Sequence, residues 1–292
     1  MKKLTGILFY VSILIFSIFL FNSCQKEAAG SGDNIPAGMT KVSVYLTDGP
    51  TDYQHVFVDI QQVAIKLDTY RRNGDDDHDH PGCDDDHDSL SVNCEIWDTL
   101  NIRAGVYDLL TLRNGLDTLL ASGFVLNGKI ERIKITLGNN NSVVVDSISY
   151  PLHLINGQNF VYVNIKRDHL DILSSNNLRF YLDFDLNRSI ILVGGQYWLK
   201  PVLRPFGRHS SGEIEGKIRP VHSHGLVKAY NATDTAYAWP WWDEGEFKIR
   251  GLHEGTYSLF IDGINGYRDT TINNVAVRRN DDTQVGTILL HQ

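Results

Sequence analysis

Between Leu178 and Leu186 the chain reads LRFYLDFDL, and every second residue is apolar. In an extended segment Leu178, Phe180, Leu182, Phe184 and Leu186 share one face, and Arg179, Tyr181, Asp183 and Asp185 share the other. A helix would scatter those leucines and phenylalanines around its circumference, so the pattern predicts a half-buried antiparallel strand. The alternation recurs in residues 41–46, and in Ile133, Ile135 and Leu137 set against Arg132, Lys134 and Thr136. Val56, Val58 and Ile60 alternate, and Val63, Ile65 and Leu67 alternate out of phase with them, which predicts a bulge or bend at Gln61-Gln62. Turn formers separate the runs, among them Asp48-Gly49-Pro50, Asn127-Gly128, Asn156-Gly157 and Gly194-Gly195. No segment carries a long helical pattern, and short helical turns are expected only near residues 114–121 and 168–174. The predicted class is therefore all-β, as two β-sandwich domains.

The first residues bear on the compartment. Met1-Lys2-Lys3 is basic, residues 4–21 are almost wholly apolar, and Phe21-Asn22-Ser23-Cys24 follows. A charged start, an apolar run and a small residue before the cut is the layout of a secretory signal. The cysteine after Ser23 makes it resemble a bacterial lipoprotein signal, which implies removal of residues 1–23 and lipidation of Cys24. An uncleaved membrane anchor is the competing reading, since the apolar run is just long enough to span a bilayer. Cys24-Gln25-Lys26-Glu27 is similar to the surface-export start of Bacteroidetes-type lipoproteins. Residues 24–39, rich in Gly, Ser and Ala, read as a flexible tether. The expected location is the outer membrane or cell surface, with the membrane as a partner through the N-terminal lipid.

One stretch departs from everything around it. Residues 75–88 read DDDHDHPGCDDDHD, eight aspartates and three histidines in fourteen positions. The whole chain has a net charge of −8, so this one loop accounts for almost all of the acidity. Carboxylates suit Ca²⁺ and imidazoles suit softer cations, which makes Asp75, Asp77, Asp79, His80, Asp84, Asp86 and Asp88 a candidate site for a weakly bound divalent cation. Pro81 at a ligand position and the strand-like flanks exclude an EF-hand. Charges about 7 Å apart in water repel by only ~0.6 kcal/mol, so the loop also stands without a metal, and no cofactor is required. Cys83 and Cys94 are expected to form a disulfide, because the chain is exported and the third cysteine is taken by lipid. Cys83 as a thiolate ligand beside His80 and His87 is the alternative. No basic stripe with interleaved aromatics exists, which argues against nucleic acid as a partner.

Two family resemblances follow from longer stretches. Residues 44–50 (VYLTDGP), 56–60 (VFVDI), 105–110 (GVYDLL), 114–121 (NGLDTLLA), 182–185 (LDFD) and 199–204 (LKPVLR) resemble the bacterial lipoprotein domain family of unknown function 4382. The match implies a β-rich extracytoplasmic domain over residues 40–207, in which residues 69–94 look like a local insertion, and it transfers no activity. Residues 212–217 (GEIEGK), 227–230 (VKAY), 245–252 (GEFKIRGL) and 285–290 (VGTILL) resemble the carboxypeptidase regulatory-like, transthyretin-type sandwich. That resemblance spans residues 212–292 and implies a carbohydrate-binding-like fold used as a stalk or accessory module.

Catalytic motifs are absent. There is no Gly-x-Ser-x-Gly elbow, and His253-Glu254 lacks the second histidine of a zinc protease. Asp183 and Asp185 are read as a solvent face and His222-Ser223-His224 as a polar turn. Trp239-Pro240-Trp241-Trp242 is the strongest binding candidate, because tryptophan offers a large rigid area with one polar N–H. Trp239, Trp241 and Trp242 are candidate glycan-binding residues, although alternation could bury Trp239 and Trp241 in a core or interface. The sequence thus points to a non-enzymatic cell-envelope lipoprotein, a surface binding, adhesion or accessory module whose partner is a polysaccharide or an envelope protein. The alternative is a divalent-cation-binding lipoprotein centred on residues 75–88.

Overall fold

The computed structural model describes residues 34–49, 51–72 and 91–292, with the side chains of 69–72 and 91–95 outside that description. Cys24, Cys83 and the acidic residues 75–88 lie outside the described residues, and Cys94 is described in its backbone alone. Residues 35–292 form one compact unit, and its secondary structure is almost entirely β, as the alternation requires. Among the described residues no helix is long and apolar enough to cross a membrane.

Among the described residues the first sandwich contains fifteen strands. In chain order they are β1 (Met39–Asp48), β2 (His55–Arg72), β3 (Ser91–Thr99), β4 (Asn101–Ile102), β5 (Gly105–Asp108), β6 (Thr118–Leu126), β7 (Lys129–Leu137) and β8 (Ser142–Val145). Then come β9 (Ile148–Leu154), β10 (Phe160–Asn164), β11 (Asp171–Ser174), β12 (Asn177–Phe184), β13 (Ile190–Val193), β14 (Gln196–Leu199) and β15 (Leu203–Phe206). One sheet has the order β11-β12-β1-β6-β4, with β15 also on β12; the other runs β10-β7-β2-β8-β9-β14-β13, with β3 and β5 also on β2. Val42, Val44 and Leu46 of β1 and Phe180, Leu182 and Phe184 of β12 are at most 1% exposed, and they share one core with Val58, Ile65, Ile133 and Ile135 of the opposite sheet. Fully burying each such side chain is worth about 1.5–3 kcal/mol.

The predicted phase slip in β2 is a register shift between Ile60 and Gln62 against β7, which lets Ile60 and Val63 both face the core. The strand read from residues 178–186 forms, but it pairs parallel to β1 and antiparallel to β11 and β15. It stops at Phe184. Asp185 instead caps a single helical turn, Leu186–Ser189, its carboxylate accepting from the Arg188 N–H at 3.1 Å. The helical turn expected near 114–121 is displaced to a 3-10 turn at Leu109–Leu112, and Thr118–Leu126 is strand β6. Near 168–174 a 3-10 turn, Arg167–His169, is followed by β11.

The second sandwich contains β16 (Gly212–Arg219), β17 (His224–Tyr230), β18 (Thr235–Ala238), β19 (Glu246–Leu252), β20 (Gly255–Gly263), β21 (Thr270–Val277) and β22 (Asp282–Leu289). A three-stranded sheet β19-β16-β22 faces a four-stranded sheet β18-β17-β20-β21 across a separate core of Ile214, Val227, Phe247, Ile249, Leu259 and Ile261. Strands β16 and β22 are parallel.

Charged side chains join the sandwiches. Arg204 reaches the carbonyl oxygens of Arg250 and Gly251 at 3.0 and 3.2 Å, the Asp183 carboxylate at 3.2 Å and Asp234 at 3.6 Å. Asp183 therefore faces the second sandwich, not solvent; burial lifts its pKa, and Arg204 pulls the other way. The Phe206 ring fills the space beside Gly251, where a Cβ would stand 2.8 Å from the ring.

Candidate functional site

The aromatic run predicted to face a ligand lies in the connection between β18 and β19. Strand β18 is an edge strand that ends at Ala238, so Pro240 falls where no ladder hydrogen bond is lost. The chain then folds tightly. The Trp241 N–H donates to Glu246 O at 2.9 Å, and the Glu244 and Gly245 N–H groups donate back to Trp241 O at 3.2 and 2.6 Å. The turn needs a left-handed residue at Gly245, φ +65°, and a Cβ there would meet the Ile218 carbonyl oxygen at 2.3 Å.

This geometry separates the three tryptophans. Trp239 is half-buried, while Trp241 and Trp242 are 37% and 45% exposed. The Trp242 ring stacks on His222, with centroids 4.4 Å apart and planes 25° apart. His222 is fixed in turn by Asp243, whose carboxylate lies 3.1 Å from Nε2. Behind this pair is His224, fully buried, its ring edge-on to Trp242 and neither ring nitrogen hydrogen-bonded. Burial lowers the His224 pKa, and the neighbouring His222 lowers it further. Two histidines thus support the tryptophan.

Trp241 looks the other way, into a groove of about 400 Å³ between the sandwiches, lined by Asn114, Glu215, Lys217, Glu246 and Gln284 among others. The Arg113 guanidinium lies 5.7 Å from its ring centroid. The loop carrying Arg113 is clamped to β19: the Asn114 side chain accepts from the Lys248 N–H at 2.7 Å and donates to Glu246 O at 3.2 Å. The charges along the groove are internally matched, since Lys217 pairs with Glu246 at 2.8 Å and Lys248 pairs with Glu215. Such a surface offers hydrogen-bonding groups and an aromatic face, and Arg113 is its one cation without an ion pair among the described residues.

A sequence reading did not find the charged seam beneath the groove. Glu213, Glu215 and Asp282 bring three carboxylates together closely enough for a cation. Lys248 already occupies that place, its ammonium 2.7 Å from Glu213 and in contact with Glu215. Arg250 adds a second cation, 3.3 Å from Glu213 and 3.1 Å from Asp117. The cluster is a built-in ion network that supplies its own counter-charges. No local pattern announces it, because Asp117 and Arg250 come from different sandwiches.

Comparison with known proteins identifies one family. Residues 39–201 match the model described as Domain of unknown function (DUF4382). No curated protein matches the chain. Among solved structures, a type II cohesin–X-dockerin complex from Acetivibrio cellulolyticus is 26% identical, covering 27% of this chain and 56% of that one at a TM-score of 0.23. The minor pilin GBS52 of Streptococcus agalactiae is 11% identical, covering 85% of this chain and 94% of that one at a TM-score of 0.21. The shaft pilin SpaA of Lactobacillus rhamnosus GG is 12% identical, covering 86% and 97% at a TM-score of 0.22. Likeness at such TM-scores carries no weight for function.

Proposed function

We propose that this chain, which belongs to the family Domain of unknown function (DUF4382), is an exported, non-catalytic binding protein of the cell envelope that holds a neutral polysaccharide at Trp241 and Trp242. The observation that carries the reading is the pair of exposed indoles beside the groove, one braced by His222 and the other bordered by the paired ions Lys217 and Glu246. Stacking on an indole contributes ~0.5–1.5 kcal/mol beyond area burial, so one site binds weakly and gains from a polymer that presents many repeats. Anchoring through Cys24 fits such a role, since a lipid holds the binding face at the membrane while residues 24–39 give it reach. Replacing Cys24 with Ala is expected to release the protein from membranes.

The test of the binding reading is affinity electrophoresis against neutral cell-wall and capsular polymers. Retardation of the full chain that is weakened several-fold by both Trp241→Ala and Trp242→Ala supports it. No retardation by any neutral polymer, with the wild-type fold intact, removes it.

A further inference from the structure

We propose that the outer face of the sheet containing β2, β3, β7 and β10 is a second binding platform, built from Trp97, Tyr162 and Phe160 with Arg132 and Lys134, and that its ligand is a carboxylated polysaccharide. The ladder registers assemble this face. Arg132 stands opposite Asn164 on one side and Lys66 on the other, and Lys66 stands opposite Trp97. One row along, Lys134 lies between Tyr162 and Ala64, and in the next Thr136 lies between Phe160 and Gln62. Successive residues of a strand point to opposite faces, so the intervening Ile133, Ile135, Val63 and Ile65 are the core residues, at most 1% exposed. The platform is the back of a packed sheet, and its geometry is held by that core.

The rings form one contiguous group. Trp97 and Tyr162 approach across two intervening strands to a centroid separation of 5.8 Å, and Tyr162 meets Phe160 edge-on at 5.1 Å. Trp97 and Tyr162 nevertheless remain 43% and 45% exposed. Between them the sheet presents Ala64, small enough to let the two rings lean together. Exposed aromatic side chains gathered into one contiguous group are a feature of interaction surfaces.

Charge decides the class of ligand. The Arg132 guanidinium lies 5.4 Å from the Tyr162 centroid, and the Lys134 ammonium lies 5.0 Å from the Phe160 centroid. Arg132 also donates to the Asn164 side chain at 2.9 Å, and neither cation has an ion pair among the described residues. The neighbouring acid Glu131 is taken up by Lys66 at 3.8 Å and Lys129 at 3.5 Å, and Asp68 stands opposite Lys129 in the ladder. Two uncompensated cations beside three stacking faces match a polymer whose repeats carry both a pyranose ring and a carboxylate. The rings supply stacking, and Arg132 supplies a fork for the carboxylate. The groove at Trp241 carries one such cation, Arg113, beside two matched ion pairs, so the platform is the more cationic of the two surfaces.

The deciding experiment is affinity electrophoresis and calorimetry of the full chain with polygalacturonate, using dextran as the neutral control. Polygalacturonate is expected to bind, with affinity falling as salt is raised. Trp97→Ala should weaken it at least tenfold, as should the pair Arg132→Gln with Lys134→Gln, which should also flatten the salt dependence. Phe124→Ala, an exposed ring on β6 of the other sheet, should leave it unchanged. Tyr162→Ala, on the edge strand β10, repeats the aromatic test should Trp97→Ala unfold by circular dichroism. Failure of folded wild-type protein to bind polygalacturonate overturns the proposal. So does equal binding by the charge-pair variant, or full competition by dextran.

Discussion

Arg250 of the second sandwich lies 3.1 Å from Asp117 of the first, and its guanidinium also reaches Glu213 at 3.3 Å. Both carboxylates are largely shielded from water, so truncating the arginine strands them in part. Arg250→Ala is expected to lower stability by about 1–3 kcal/mol. A double-mutant cycle with Asp117→Ala, read by urea unfolding, should show a coupling above about 0.5 kcal/mol. Strict additivity would mean that the contact across the seam contributes nothing.

Asp48, at the end of β1, is 5% exposed, and neither carboxylate oxygen has a hydrogen-bond partner. Burial raises its pKa well above the ordinary value, and the charges of Asp183 and Asp185 add to that. A carboxyl group whose pKa is raised on folding favours the folded state fully only below its unfolded pKa, and that contribution is lost as pH rises through the folded value. Asp48→Asn, which keeps the shape without the charge, should therefore raise the urea midpoint at pH 7 and change it little at pH 3. An equal shift at both values would place the effect elsewhere.

His224 works in the opposite direction along the pH scale. It is fully buried with its ring nitrogens unpartnered, and its pKa is lowered by burial and by His222. The unfolded chain binds a proton near pH 6.5, whereas the folded chain does so only at lower pH, so stability falls as pH drops below about 6.5. His224→Leu should flatten the stability profile between pH 6.5 and 5. Retention of the wild-type slope would assign it to other groups, such as His169, whose pKa is also lowered by burial.

Gly245 makes the Trp241–Trp242 turn possible. Gly245→Ala places a Cβ in a left-handed backbone, 2.3 Å from Ile218 O. The conformation alone costs roughly 1–2 kcal/mol, before the clash. The variant should lose stability and shift the tryptophan emission maximum, while the exposed neighbour change Glu244→Ala should do neither.

The sequence carried the faces of the strands but not their partners. Alternation is a local property, so the out-of-phase runs either side of Gln61-Gln62 disclosed the bulge in β2, and Leu178, Phe180, Leu182 and Phe184 disclosed the buried face of β12. Residues 118–121, the start of β6, read as part of a helical turn because the alternation there is broken. Leu119 is 50% exposed while Leu120 and Ala121 are both buried, and β1 slips in register against it between Val44 and Tyr45. The exposed indoles of Trp241 and Trp242 could be anticipated, since three tryptophans around a proline beside a turn cannot all enter one core. The rings of Trp97 and Tyr162 could not, because they are brought together by the pairing of four strands, and no segment on its own records that pairing.

The parallel pairing of β16 with β22 also has a mechanical side. Gly212 opens β16 at one end of the second sandwich, and Leu289 closes β22 at the other. Tension between these two points drags the neighbouring strands lengthwise past each other, so their ladder hydrogen bonds are strained together instead of parting one by one like a zip. A module strung this way resists stretching along the line from Gly212 to Leu289 more than it resists peeling of its edge strands.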